Sequence, residues 1–167
     1  LPWRDARPLV AASQAGAAGQ LPAPPARPEL IVMDRHTDGL LVAAFAAPWS
    51  APVDLALSTD GAGFETRGQC DQPAIMGELV ADLAPGPAGY WDEAAALDVS
   101  LYDGRLESRA VRDVLAGKNR LAVEQGEGEW EMLDFARAEL TAEGRYRLSG
   151  LLRGLAGSAP SGAGAGW

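Results

Sequence analysis

The sequence is short of the residues that most chemistry needs. It has one cysteine, Cys70, and one histidine, His36. A lone cysteine excludes an intrachain disulfide, so a secreted disulfide scaffold is not expected. A lone histidine excludes a multi-histidine metal site and weakens any Ser/His/Asp scheme. His36 stands between Asp34 and Asp38 in a stretch that reads as an exposed loop between strands. Cys70 has no histidine near it in sequence, and reads as a small apolar residue in a strand or core. Gly104, Gly126 and Gly128 lack the lysine and the spacing of a phosphate-binding loop. No uninterrupted apolar run is long enough for a membrane-spanning helix, so no membrane insertion is expected. Positive charge is scarce: 14 Lys and Arg face 23 Asp and Glu, for a net charge of −9. A surface of that sign repels phosphate backbones, so no nucleic-acid partner is expected. Catalytic, cofactor-binding and metal sites are all expected to be none.

What is present describes a folded, acidic protein. The 167 residues are 47% hydrophobic, enough for one ordinary domain or two small ones. Residues 1–28 form a Pro/Ala-rich linker or the tail of a preceding domain. Prolines at the density of residues 21–28 favour an extended, semi-rigid spacer. The chain starts at Leu1 and ends in a Gly/Ala-rich tail, 158–167, and is expected to be a piece of a longer polypeptide.

Between these ends the texture is strand-like. Residues 30–33 and 40–47 are apolar runs, and residues 53–58 alternate apolar and polar. Asp60-Gly61 suits a tight turn, with residues 64–69 returning. Residues 75–83 form another candidate strand. The Pro/Gly cluster at 84–89 is the expected boundary between a β subdomain at 29–84 and a second at 90–157. In the second, residues 97–102 alternate cleanly, and Asp103-Gly104 is expected to turn them into a strand at 105–108. Val111, Val114 and Leu115 have helical spacing and Gly117 follows, which predicts one short helix near 110–116. Residues 121–123 read as a strand. Residues 129–140 carry helix-favouring residues, yet their Gly-containing flanks and strand-like neighbours favour a strand paired with residues 146–152. The expected class is all-β: β-sandwich or barrel-like subdomains with one short helix.

Carboxylates are plentiful, so acid–base pairs deserve weighing. Glu127, Glu129 and Glu131 lie close together, and alternate residues of a strand share a face. Nothing marks them as buried, so a solvated face is expected. Five tryptophans, Trp3, Trp49, Trp91, Trp130 and Trp167, raise the alternative of a carbohydrate-binding β-sandwich that recognises host surface glycans by ring stacking. They are spread along the chain, which suits core anchors or interdomain contacts better.

The most informative stretch is W-E-x-x-x-F-x-x-A-x-L at residues 130–140, followed by G-x-Y-x-L-x-x-L-L-R-G-x-x-G at residues 144–157. This pair resembles a signature of phage-type tail-tip or baseplate hub proteins. In particular it is similar to the C-terminal half of the host-specificity, or "megatron", protein of gene transfer agents. Weaker likenesses in the same order run back to residue 27, among them residues 53–58, Trp91-Asp92 and Leu97-x-Val-x-Leu101. The chain departs from the pattern at Ser158, where the family often has an acidic residue. The resemblance implies a structural and interaction module of a virion-like particle, made in the bacterial cytoplasm and placed at the tail tip. It implies a role in tail-channel closure, fibre or hub attachment and host contact. It implies other tail-tip or baseplate proteins as partners, a homotrimer in the particle, a host-envelope receptor or glycan, no cofactor and no enzymatic activity of this segment. The residues that carry it are Trp130, Phe135, Tyr146, Leu151, Arg153, Gly154 and Gly157. Gly154 would permit a tight turn, and Arg153 would offer a planar donor fork to an acidic neighbour or to carbonyl groups.

Overall fold

Among the described residues, nine strands and one helix follow in chain order. The strands β1 (Glu29–Arg35) and β2 (Gly39–Phe45) form one antiparallel hairpin, and β3 (Val53–Leu57) and β4 (Glu65–Cys70) form another. The remaining strands are β5 (Gly77–Leu79), β6 (Trp91–Leu101), β7 (Arg120–Gly126), β8 (Glu129–Ala142) and β9 (Arg145–Leu155). They make a single antiparallel sheet in the order β5-β6-β9-β8-β7, and the helix α1 (Val111–Leu115) packs on β8. The computed structural model describes residues 29–35, 39–126 and 128–166. His36, Glu127, Trp3, Trp167 and the linker at 1–28 lie outside them. The fold is all-β with one short helix among the described residues, as the strand-like texture predicts. No helix among them is long and apolar enough to cross a membrane.

The strand at 129–142 forms against the helix propensity of its Glu, Met, Leu and Ala residues. Propensity differences of a few tenths of a kcal/mol per residue yield to pairing on both sides. β8 is flanked by β7 through pairs such as Leu121–Leu133, and by β9 through pairs such as Phe135–Leu151. A two-residue turn, Glu143-Gly144, joins β8 to β9.

Leu97, Val99 and Leu101 alternate along β6 and enter the core, where they meet Leu133 and Phe135 of β8 and Tyr146, Leu148 and Leu151 of β9. Leu148 and Leu151 are three residues apart, and a regular strand would point them to opposite faces. Gly150 lies between them in a left-handed conformation, φ +62°, which shifts the alternation and lets both leucines be fully buried. A second buried group, Val114, Met132 and Ala136, lies outside this core. It accounts for β8 being buried on both faces from residue 131 to 136.

Several local expectations change. Residues 105–108 do not return as a strand against β6. They cross instead to the free margin of β8, where Arg109 N–H donates to Ala136 O (2.9 Å) and Ser108 Oγ accepts from Ala138 N–H (2.9 Å). Of residues 75–83 only Gly77–Leu79 is strand, because Leu83 bonds elsewhere. The Pro/Gly cluster at 84–89 does not divide two sheets: β5 and Leu83, which precede it, belong to the five-stranded sheet and its core. The turn expected at residues 59–63 is longer, spanning residues 58–64, and Asp60 lies within it. Asp60 organises this loop by accepting N–H bonds from Ala62 and Gly63, at 2.9 and 3.0 Å.

Across β6 and β9, Arg147 donates to both oxygens of Asp98 at 2.8 Å. That hydrogen bond holds the Asp98 carboxyl below its usual range. A depressed carboxyl contributes stability above its unfolded value, near 3.9, and loses it as pH falls through the folded value. Both side chains are partly solvated, so Arg147→Ala is expected to destabilise the protein only slightly at neutral pH. Urea unfolding should show that deficit shrinking as pH falls below the ordinary carboxylate range. A deficit that stays constant in acid would mean that Arg147 acts by packing of its stem and not by charge.

Candidate functional site

The residues that carry the sequence signature converge on a buried ion pair. Glu131 on β8 and Arg153 on β9 are both fully buried. Arg153 Nε donates to Glu131 Oε1 at 2.8 Å and Nη2 donates to Oε2 at 2.7 Å, a two-pronged pairing. Each carboxylate oxygen takes one further donor. Gly154 N–H reaches Oε1 at 3.3 Å, and the Gln125 side-chain amide on β7 reaches Oε2 at 3.0 Å. On the far side of the guanidinium, Nη1 donates to Ala84 O at 2.6 Å and lies 3.9 Å from Asp92 Oδ2. Asp92 is itself held by N–H bonds from Ala94 and Ala95 at the irregularity in β6. Burying two charges costs several kcal/mol per ion, and only such complete pairing offsets it.

Strand alternation places Glu131 with Leu133 and Phe135 on the core side of β8. The expected solvated face therefore holds for Glu129, which is exposed, and fails for Glu131. The reason is tertiary: β9 and residues 84–86 close over that position. Room for this closure comes from missing side chains. A Cβ on Gly86 would strike the Arg153 guanidinium. Gly154 has φ +64°, and a Cβ there would lie 2.9 Å from Ala88 Cα. Gly89 N–H donates to Arg153 O at 2.8 Å, which draws the Pro/Gly segment onto the arginine.

A second pair sits three residues along β8, on the opposite face of the strand. Asp134 is buried, and Arg120 on β7 donates to its two oxygens at 2.9 and 3.2 Å. The hydrogen bond to Asp134 pushes the Arg120 guanidinium above its ordinary value. Beside it, the Asn119 side-chain amide bridges Glu107 O and Phe135 O. Sequence reasoning missed Glu131, Asp134, Arg120 and Gln125 as members of the site. The available signal was a charged residue at core positions of two apolar segments, Glu and Asp in one and Arg in the other.

The other signature residues frame these pairs. Phe135, Tyr146 and Leu151 are core residues, Trp130 is half-buried on β8, and Gly157 lies in the turn after β9. Trp49, Trp91 and Trp130 are each half-buried and occupy separate segments, not an exposed stacking pair. Among the described residues no three His, Cys, Asp or Glu side chains are grouped to hold a metal ion. An open groove of about 580 Å³ lies at the β8–β9 turn, lined by residues such as Arg105, Leu106, Leu140 and Tyr146, with Glu143 as its one carboxylate. Glu131 has both oxygens occupied and no access to solvent, so this arrangement clamps strands and does not present a carboxylate to a substrate.

No curated protein matches the sequence. Residues 74–167 match the model of a family described as Rcc01698-like, C-terminal. This stretch opens just before β5, contains the whole five-stranded sheet, the buried Glu131–Arg153 pair and the Arg120–Asp134 pair, and covers more than half of the chain. The chain therefore belongs to the Rcc01698-like, C-terminal family.

Proposed function

We propose that this chain is a structural and interaction module of a phage-like, gene-transfer-agent-type tail tip or baseplate. The family's name is compatible with association with a gene transfer agent. The observation that carries the finer reading is where the signature residues lie. Phe135, Tyr146, Leu151 and Arg153 form the interior of one cross-braced sheet instead of the rim of a cleft. A particle component must transmit contact without yielding, and buried paired charges together with a packed core favour a single arrangement. The module helps to close the tail channel, joins fibre or hub proteins, stands in a homotrimer and meets a host-envelope receptor or glycan. It takes no catalytic part and no cofactor, and its net charge of −9 disfavours nucleic acid.

The test is immunogold labelling of purified tailed particles from the source organism, with antibody raised against residues 29–157. Gold confined to the distal tail end is the expected result. Particles without label, while the same antibody finds the protein elsewhere in the cell, would overturn the reading.

A further inference from the structure

Past β9 the chain folds back on the sheet. Ala156 and Gly157 both take left-handed backbone, at φ +53° and +79°. Ser158 then ties the turn down, with its hydroxyl donating to Leu155 O at 2.7 Å and accepting from Met132 N–H at 2.9 Å. Residues 158–166 form a strap along residues 79–86. Gly86 N–H donates to Pro160 O at 3.0 Å, and Leu83 and Ala163 exchange two backbone bonds of 2.8 Å. Ala165 N–H donates to Asp82 Oδ1 at 2.8 Å, and Gly166 N–H donates to Leu79 O at 2.9 Å.

The strap occupies a sheet edge. β5 bonds to β6 through its even-numbered neighbours, as in Val80 N–H to Asp98 O and Tyr102 N–H to Met76 O. The Leu79 carbonyl therefore points away from the sheet, where the strap takes it. An open edge of this kind is a template for any extended chain. The edge is selective: Gly162 has φ +93°, and a Cβ there would lie 2.6 Å from Leu83 O. Its grip is mostly backbone. Among strap residues only Ala163 is buried, whereas Leu79 and Leu83 of the acceptor are core residues. A segment so poor in buried apolar surface opens more readily than the core it covers.

We propose that the outer edge formed by residues 79–86 is a strand-acceptor site, filled here by the chain's own residues 158–166 and open to the same segment of a second copy. The second copy is the occupant that fits, because its segment carries the glycine at the one position where the edge refuses a side chain. Exchange of an identical element between copies needs no new contacts, only a change at the turn around Ala156 and Gly157. This exchange does not depend on where the protein resides.

Hydrogen exchange on the full 167-residue chain is the first test. The Ala163 and Gly166 amides are expected to exchange at least ~100-fold faster than those of Leu148 and Leu151. Equal protection would overturn the proposal, since the strap would then open only with the whole fold. The second test uses Gly162→Val in the full chain and a fluorescein-labelled peptide of residues 157–167 in place of the second copy's segment. The variant is expected to bind the peptide, the unaltered chain to bind it at least ~10-fold more weakly against its own tethered strap, and a peptide carrying Gly162→Val to bind neither. A folded variant that ignores the peptide would overturn the proposal. So would a variant that fails to fold, because the strap would then be part of the core.

Discussion

Replacing Arg153 with alanine is expected to destabilise the protein by about 3–5 kcal/mol, since it strands a fully buried Glu131 without its partner. The loss is larger than that of one hydrogen bond. Arg153 joins β9 to β8 through Glu131 and to the Pro/Gly segment through Ala84 O, and the backbone of Gly154 depends on the same carboxylate. Arg153→Lys keeps the charge but loses the planar fork, so it should recover only part of the deficit. The double variant Glu131→Leu, Arg153→Met removes both charges and keeps most of the volume. It should lie close to the parent in stability or above it, because the desolvation cost disappears with the pair. Urea unfolding of the four proteins at neutral pH measures all of this. An Arg153→Ala protein within about 0.5 kcal/mol of the parent would show that the pair does not brace the sheet.

Leu151→Ala should cost about 2–5 kcal/mol, the range for a leucine removed from a site that cannot collapse. Leu151 is fully buried in a core to which all five strands of the sheet contribute. Its position depends on the left-handed Gly150, so Gly150→Val should be damaging through the same contacts. Leu140 on neighbouring β8 is the control, being 61% exposed. Leu140→Ala should stay within about 0.5 kcal/mol of the parent. Equal losses at the two positions, measured by thermal and urea unfolding together, would contradict the burial described here.

Features with a local period were legible in the sequence. The alternation of Leu97, Val99 and Leu101, the helical spacing before Gly117 and the paired segments after Trp130 each appear as elements. They can be read locally because a strand repeats every two residues and a helix every 3.6, so the pattern lies within a few neighbours. Arg153 is marked as a donor fork by the resemblance of residues 144–157 to the tail-tip signature. Its partners were not marked, for Glu131 is 22 residues away and Ala84 is 69. The same distance hid the membership of β5 in the five-stranded sheet and of Leu83 in its core, and the strap in a run of Gly, Ala and Ser that carries no period at all.

The sequence by itself determined an acidic, all-β chain with one short helix, a long hairpin near its end and an arginine among leucines. Only the tertiary structure decided which carboxylate that arginine takes, which of two neighbouring glutamates is buried, and which edge the last residues cover. Pattern follows from the chemistry of adjacent residues. Pairing of charges and edges follows from register, and register is set only when distant strands meet.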